Sequence, residues 1–129
     1  FALGAKLCRP DAEVWLIYGD GAAGYSLVEY DTFSRHHTPV IGIIGNDGAW
    51  AQIARDQVDI LHDDVATVLT RNDYHTAAEG FGGKGFLLTR MDKAKETLEQ
   101  AKALALQGHS VLINAHIDKS EFRKGSISM

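Results

Sequence analysis

Apolar residues fall along this chain in two kinds of pattern. Short, nearly unbroken runs occur at Val14–Tyr18 (VWLIY), Val40–Ile44 (VIGII), Phe86–Thr89 (FLLT) and Val111–Ile117 (VLINAHI). A strand with one wet face would alternate, so these runs predict strands covered on both faces. Between them lie stretches with helical character. Phe1–Leu7 is a small-residue run ended by Arg9-Pro10-Asp11, and Tyr25–His36 places Leu27, Tyr30 and Phe33 on an inward stripe before Pro39 stops it. A helix is expected from Trp50 to about Gln57, and another over Tyr74–Gly80 with Asp73 as cap. A long helix is expected from Asp92 to Gln107, with Ala94, Leu98, Ala101 and Ala105 on one face and Gly108 as its stop. Gly19–Gly24, Asn46–Gly48 and Gly82–Gly85 read as turns or loops, and Val58–Asn72 shows no clear period.

Strands alternating with helices predict βαβ units, hence an α/β fold with a parallel sheet and helices on both faces. No repeat, linker or low-complexity stretch divides residues 1–129, so one unit is expected. The chain starts inside an apparent helix with no strand before it, and we expect an N-terminally truncated piece of a larger protein. Composition is that of an ordinary globular chain, with 45% hydrophobic and 23% charged residues. No stretch approaches the roughly 20 apolar residues of a membrane span, so no membrane insertion is expected. The net charge of −4 gives no footprint for nucleic acid. An anionic ligand would need local donors or a metal. Cys8 is the only cysteine and reads as a small buried or half-buried apolar residue.

Candidate chemistry concentrates at two turns. Gly19-Asp20-Gly21-Ala22-Ala23-Gly24 fits the dinucleotide spacing G-x-G-x-x-G between a strand and a helix. A nicotinamide or flavin nucleotide is therefore one reading of the glycines. Against it stands Asp20, whose carboxylate would repel a diphosphate unless a cation lay between them. Asn46 ends the next expected strand as Asp20 ends the first, and strand C-termini share the edge of an open sheet where ligands bind. Residues 22–45 provide the helix and strand that bring the two together. Asp20 offers a carboxylate oxygen, Asn46 an amide oxygen, and the following turn a carbonyl, that of Gly48. Such oxygen donors suit magnesium or calcium rather than zinc. Gly21 lets the backbone come close, and the N–H groups near Ala22 and Ala23 open toward an anion.

With these residues in place the chain resembles the thiamine-diphosphate-dependent enzymes, whose pattern is glycine-aspartate-glycine, a helix and strand, then asparagine. Here that pattern runs from Gly19-Asp20-Gly21 to Asn46, and FALGAKLCRPD looks like the helix that precedes it. The run GDGAAGYSLVEYDTFSRHHTPVIGIIGNDGAW and the terminal EFRKGSIS look like the acetolactate-synthase-like branch, which includes the 2-hydroxyacyl-CoA lyases. The resemblance implies that Asp20, Asn46 and the Gly48 carbonyl hold magnesium, which holds the diphosphate of thiamine diphosphate. It implies that Gly19, Gly21, Ala22, Ala23 and Trp50 help to bind the cofactor.

It also implies an activating glutamate from a separate pyrimidine-binding domain, usually on another subunit of a homo-oligomer. A middle domain that binds FAD in some relatives is likewise absent from these residues. The implied chemistry is carbon–carbon lyase or synthase activity on a small-molecule substrate, with no catalytic residue and no turnover in this segment alone. An intracellular location at the endoplasmic reticulum membrane is implied through a segment not present here. One departure is Asp47, where many relatives carry a second asparagine.

Other residues have plainer readings. His36 and His37 suit a helix C-terminus. His62, His75, His109 and His116 lack the spacing of a zinc site. Ser26 has no histidine partner at motif spacing and reads as a first-turn helix residue. Trp50 and Gln52 either line the cofactor edge or, for Trp50, pack in the core. The charges of Asp92–Lys102 read as a solvated face. An oxidoreductase domain and a non-catalytic scaffold remain as other classes. Metal-dependent ligand binding separates the first from a thiamine diphosphate enzyme, and the effect of Asp20→Ala separates the second.

Overall fold

The computed structural model describes residues 1–119, so the terminal EFRKGSIS lies outside the described residues. Four strands form one wholly parallel sheet: β1 (Trp15–Gly19), β2 (Ile41–Asn46), β3 (Lys84–Leu88) and β4 (Val111–His116). Their order is β1-β2-β4-β3. Helical crossovers return the chain each time to the same end, so all four C-termini share one edge. Cover on both faces is found for β2 and β4, the two central strands, which hold the most deeply buried residues. β1 and β3 instead lie at the sheet edges with no buried residue, and Ile17 of β1 is exposed.

Each face of the sheet has its own cover. On one face Val40, Ile44 and Leu112 pack with Ala23, Tyr30 and Phe33, and with Tyr74 and Ala78. The helices supplying these are α2 (Asp20–Ala23), α3 (Glu29–Arg35) and α5 (Tyr74–Gly80), while Ala2 and Leu3 of α1 (Ala2–Cys8) add a partly buried margin. On the other face Ile41, Val111 and Ile113 meet Ala101, flanked by Leu98, Leu104 and Ala105 of α6 (Ala94–Leu106). Each large aliphatic side chain so buried contributes about 1.5–3 kcal/mol. Ile113, with no exposed surface, is where truncation to alanine should cost about 2–5 kcal/mol.

Several boundaries differ from expectation for local reasons. The glycine-rich turn is in part helical, because α2 starts directly off β1 at Asp20. The expected helix from Tyr25 is instead α3, preceded by tight turns such as Ser26 N–H to Ala23 O at 3.1 Å and Glu29 N–H to Ser26 O at 3.0 Å. Tyr30 and Phe33 are nonetheless buried, as expected. Gly85 belongs to β3 and not to a loop: a Cβ there would strike the His75 backbone carbonyl, so the glycine serves close helix–strand packing. The helix after Trp50 is α4 (Ala51–Leu61), which runs through part of the aperiodic stretch and ends at His62 with φ 54°. It buries no residue, and Ile53, Ile60 and Leu61 stay exposed. The long helix opens with a 3-10 turn at Met91–Lys93. Cys8 was expected to be at least half-buried, yet it is exposed, because it ends a helix that packs through Ala2 and Leu3. No described helix is long and apolar enough to cross a membrane.

Candidate functional site

Parallel pairing sets Gly19 opposite Gly45, so the next residues, Asp20 and Asn46, leave β1 and β2 side by side at the C-terminal edge. Both side chains are withdrawn from solvent, Asp20 at 2% and Asn46 at 0% exposure. Asp20 Oδ1 accepts the Gly21 N–H at 3.0 Å. Among the described residues its Oδ2 has no hydrogen-bond partner, and neither has Asn46 Oδ1. A buried polar atom left alone costs about 1–3 kcal/mol and more when charged, so two together call for an explanation.

The electrostatics agree with the geometry. Burial raises the Asp20 pKa above its ordinary 3.8; the Gly21 N–H opposes this, Asp47 raises it further, and the Gly48 N–H opposes it. Asp47, the departure noted in the sequence, is thus close enough for its charge to be felt. A cation beside Asp20 would relieve both the burial and the repulsion. Tyr18 at the same edge has its phenol pushed up to about 12 by burial, so it remains neutral.

The turn after β2 is held in place by the segment that follows α4. The Gly48 carbonyl accepts the Leu69 N–H at 2.8 Å, and the Trp50 N–H donates to Thr67 O at 2.8 Å. The expectation that Gly48 presents a free carbonyl is therefore amended: one of its lone pairs is engaged, and its N–H acts on Asp20.

A cleft of about 520 Å³ opens here, bordered by Gly19, Asp20, Gly21, Ala22, Asp47 and Trp50, with Gln52 and the apolar Ile17, Ile53 and Ile117 nearby. Asn46, Gly48 and Ala23 do not border it, and the Ala23 side chain belongs to the core. Trp50 is half-buried against Gly21, where a Cβ would lie 2.7 Å from its ring carbons, and its centroid is 6.0 Å from that of Tyr25. Trp50 is a cleft wall and not a core residue. In a dinucleotide fingerprint the third glycine is needed for close helix–strand packing. Here a Cβ on Gly24 would meet only the Gly21 carbonyl at 3.4 Å, and one on Gly19 nothing within 4 Å. Only the middle glycine is sterically required.

Sequence reasoning missed the polar layer behind Asn46. Asn46 Nδ2 donates to Asn114 Oδ1 at 3.1 Å and to Asn72 O at 3.4 Å. Asn114 Nδ2 donates to Asn72 O at 3.0 Å and lies 3.4 Å from His75 Nδ1. The available signal was Asn114 itself, an amide inside the apolar run VLINAHI. His116, opposite Asn46 in register, has a buried Nε2 without a partner among the described residues.

Residues 1–115 match the family described as thiamine pyrophosphate enzyme, C-terminal TPP binding domain. The chain belongs to this family. Among curated relatives of this TPP-binding domain, 2-hydroxyacyl-CoA lyase 2 from Danio rerio is 51% identical and that from Homo sapiens 52%. Both alignments cover 100% of this chain and 21% of the relative. A probable acetolactate synthase of Mycobacterium bovis is 34% identical over 93% of this chain and 22% of its own length. Among solved structures, the Rhodococcus jostii RHA1 thiamine diphosphate-dependent 4-hydroxybenzoylformate decarboxylase superposes with TM-score 0.74 at 27% identity, covering 93% of this chain and 22% of that one. The chain thus spans about a fifth of the length of these relatives. For a TPP-binding domain the nicotinamide reading of the glycines falls away. Its two unpartnered oxygens are hard donors that fit a magnesium-like cation.

Proposed function

We propose that this chain is the cofactor-anchoring domain of a thiamine-diphosphate-dependent carbon–carbon lyase, with Asp20 and Asn46 holding a magnesium ion against the cofactor's diphosphate. The observation that carries this reading is that Asp20 and Asn46 leave neighbouring strands side by side and each keeps a buried oxygen, Asp20 Oδ2 and Asn46 Oδ1, without a hydrogen-bond partner among the described residues. Magnesium keeps part of its shell for water and phosphate, so a few protein donors suffice. The Gly48 carbonyl, through its second lone pair, completes the protein's share.

The remaining residues bind and orient. Gly21 keeps the backbone low beneath the indole of Trp50, and the N–H groups of Gly21 and Gly48 favour the ionised form of Asp20. When bound, thiamine diphosphate supplies the nucleophilic carbon and the electron sink. The glutamate that activates its aminopyrimidine comes from a domain outside this chain, on a second subunit of a homo-oligomer. The segment alone therefore has no turnover, and product formed by it alone would refute that point.

Identity near one half to proteins named 2-hydroxyacyl-CoA lyase 2, against 34% to an acetolactate synthase, favours cleavage of a 2-hydroxyacyl-CoA to an aldehyde and formyl-CoA. The proposed site of action is the endoplasmic reticulum membrane, reached through a segment outside this chain. The test is turnover by the full-length protein with magnesium and thiamine diphosphate. Aldehyde and formyl-CoA from a 2-hydroxyacyl-CoA are expected, and loss of both on chelation. Acetolactate from pyruvate with no lyase product would replace the lyase by a synthase. Undiminished turnover without divalent metal would remove the role given to Asp20 and Asn46.

A further inference from the structure

We infer that Asn114 is a positioning residue that fixes which end of the Asn46 amide meets the metal. The inference rests on the reading of Asn46 as a ligand and adds what makes it one. A primary amide carries an oxygen and an NH2 of similar size, and a half-turn about its last bond exchanges them. With the oxygen as its free end the residue is a ligand; with the NH2 as its free end it would repel a cation. The choice is made behind the site. Both hydrogens of Asn46 Nδ2 are directed at acceptors, Asn114 Oδ1 at 3.1 Å and Asn72 O at 3.4 Å. A reversed Asn46 would set its own oxygen against those two oxygens.

Asn114 can hold this position because its own amide is fixed. Its Nδ2 donates to Asn72 O at 3.0 Å and lies 3.4 Å from His75 Nδ1, which leaves Oδ1 facing Asn46. Asn114 has no exposed surface and stands on β4 opposite Ile44, one step along the same face from Asn46. The arrangement is an outer layer that aims a ligand, and removing such partners typically weakens metal binding about 10–100-fold.

The experiment uses the full-length protein and follows intrinsic fluorescence on titration with magnesium at fixed thiamine diphosphate. Asn114→Leu, which removes the oxygen facing Asn46, is expected to raise the magnesium needed for half-saturation by about tenfold or more. At saturating magnesium its affinity for thiamine diphosphate should equal the parent's, a split that general loss of structure would not produce. Asn114→Asp keeps an oxygen toward Asn46 and, as the neutral acid, a donor toward Asn72; it should restore most of the loss. A folded Asn114→Leu that titrates like the parent overturns the inference, and so does an Asn114→Asp as impaired as Asn114→Leu. If Asn114→Leu does not fold, Asn114→Asp decides alone: parent-like titration supports the inference and a tenfold weakening overturns it. Asn46→Ala separates the two layers of the claim. If it titrates like the parent, the ligand reading itself fails; if it loses magnesium dependence while Asn114→Leu keeps it, only the role of Asn114 fails.

Discussion

Polar side chains are buried at both ends of the parallel sheet, and the two ends treat them differently. At the N-terminal end Ser110 and Thr38 are 4% and 6% exposed. Ser110 Oγ accepts the Val40 N–H at 3.3 Å, and Thr38 Oγ1 donates to Phe33 O at 3.4 Å. One hydroxyl satisfies the backbone where β2 is entered, the other the backbone near the end of α3. At the C-terminal end Asp20, Asn46 and His116 each keep a buried atom without a partner among the described residues. A buried atom of this kind calls for an ion, an ordered water or a functional role to account for it. Under the proposed function, the contrast separates polar groups that belong to the architecture from Asp20 and Asn46, whose free oxygens are held open for a ligand.

Breaking the open end should have the largest consequence. Asp20→Ala is expected to abolish magnesium-dependent cofactor binding in the full-length protein, measured by calorimetric titration with and without a chelator, while Lys95→Ala on the exposed face of α6 leaves it unchanged. Crowding the same end comes next. Gly21→Val should destabilise the fold by about 1–3 kcal/mol in chemical denaturation, because its side chain meets the indole of Trp50. Adding Trp50→Ala should recover part of that loss.

At the closed end, Ser110→Ala leaves the Val40 N–H unsatisfied and should cost about 1–3 kcal/mol, with magnesium-dependent binding intact. A loss of binding there would blur the distinction between the two ends. The smallest effect concerns pH. Because burial raises the Asp20 pKa above 3.8, the folded metal-free protein holds that proton more tightly than the unfolded chain does. The carboxyl therefore favours folding in acid and opposes it as pH rises through the raised folded value. Asp20→Asn should raise the metal-free melting temperature slightly at pH 7, the gain should shrink toward pH 4, and added magnesium should reverse the order of the two proteins.

The central strands were legible in the sequence because parallel, doubly covered strands write unbroken apolar runs, as VIGII and VLINAHI do. VWLIY also lies within a residue or two of an observed strand, but an edge strand whose Ile17 is exposed. The inward stripe of α6 was legible for the same reason, since Ala101 and its neighbours meet the sheet at helical spacing. The juxtaposition of Asp20 and Asn46 followed from strand ends sharing an edge. Less could be read where tertiary contact overrides local signals. Gly85 looked like a loop residue because the demand for a glycine comes from His75, ten positions away. The helical start at Asp20 was hidden by flanking glycines that suggested only a turn. The Asn46–Asn114 contact joins residues 68 positions apart, and spacing within a motif carries no trace of it. Gly48 shows the finer limit: its place in the turn was readable, but the Leu69 N–H that occupies its carbonyl comes from an aperiodic segment.

The account depends most on a divalent cation lying between two particular oxygens. Crystals of the full-length protein grown with thiamine diphosphate and manganese in place of magnesium would locate that cation by its anomalous scattering. The expected map has one peak at the C-terminal edge of this sheet, roughly 2.0–2.2 Å from both Asp20 Oδ2 and Asn46 Oδ1. A bound cofactor whose diphosphate is held with no cation at those two oxygens would contradict it.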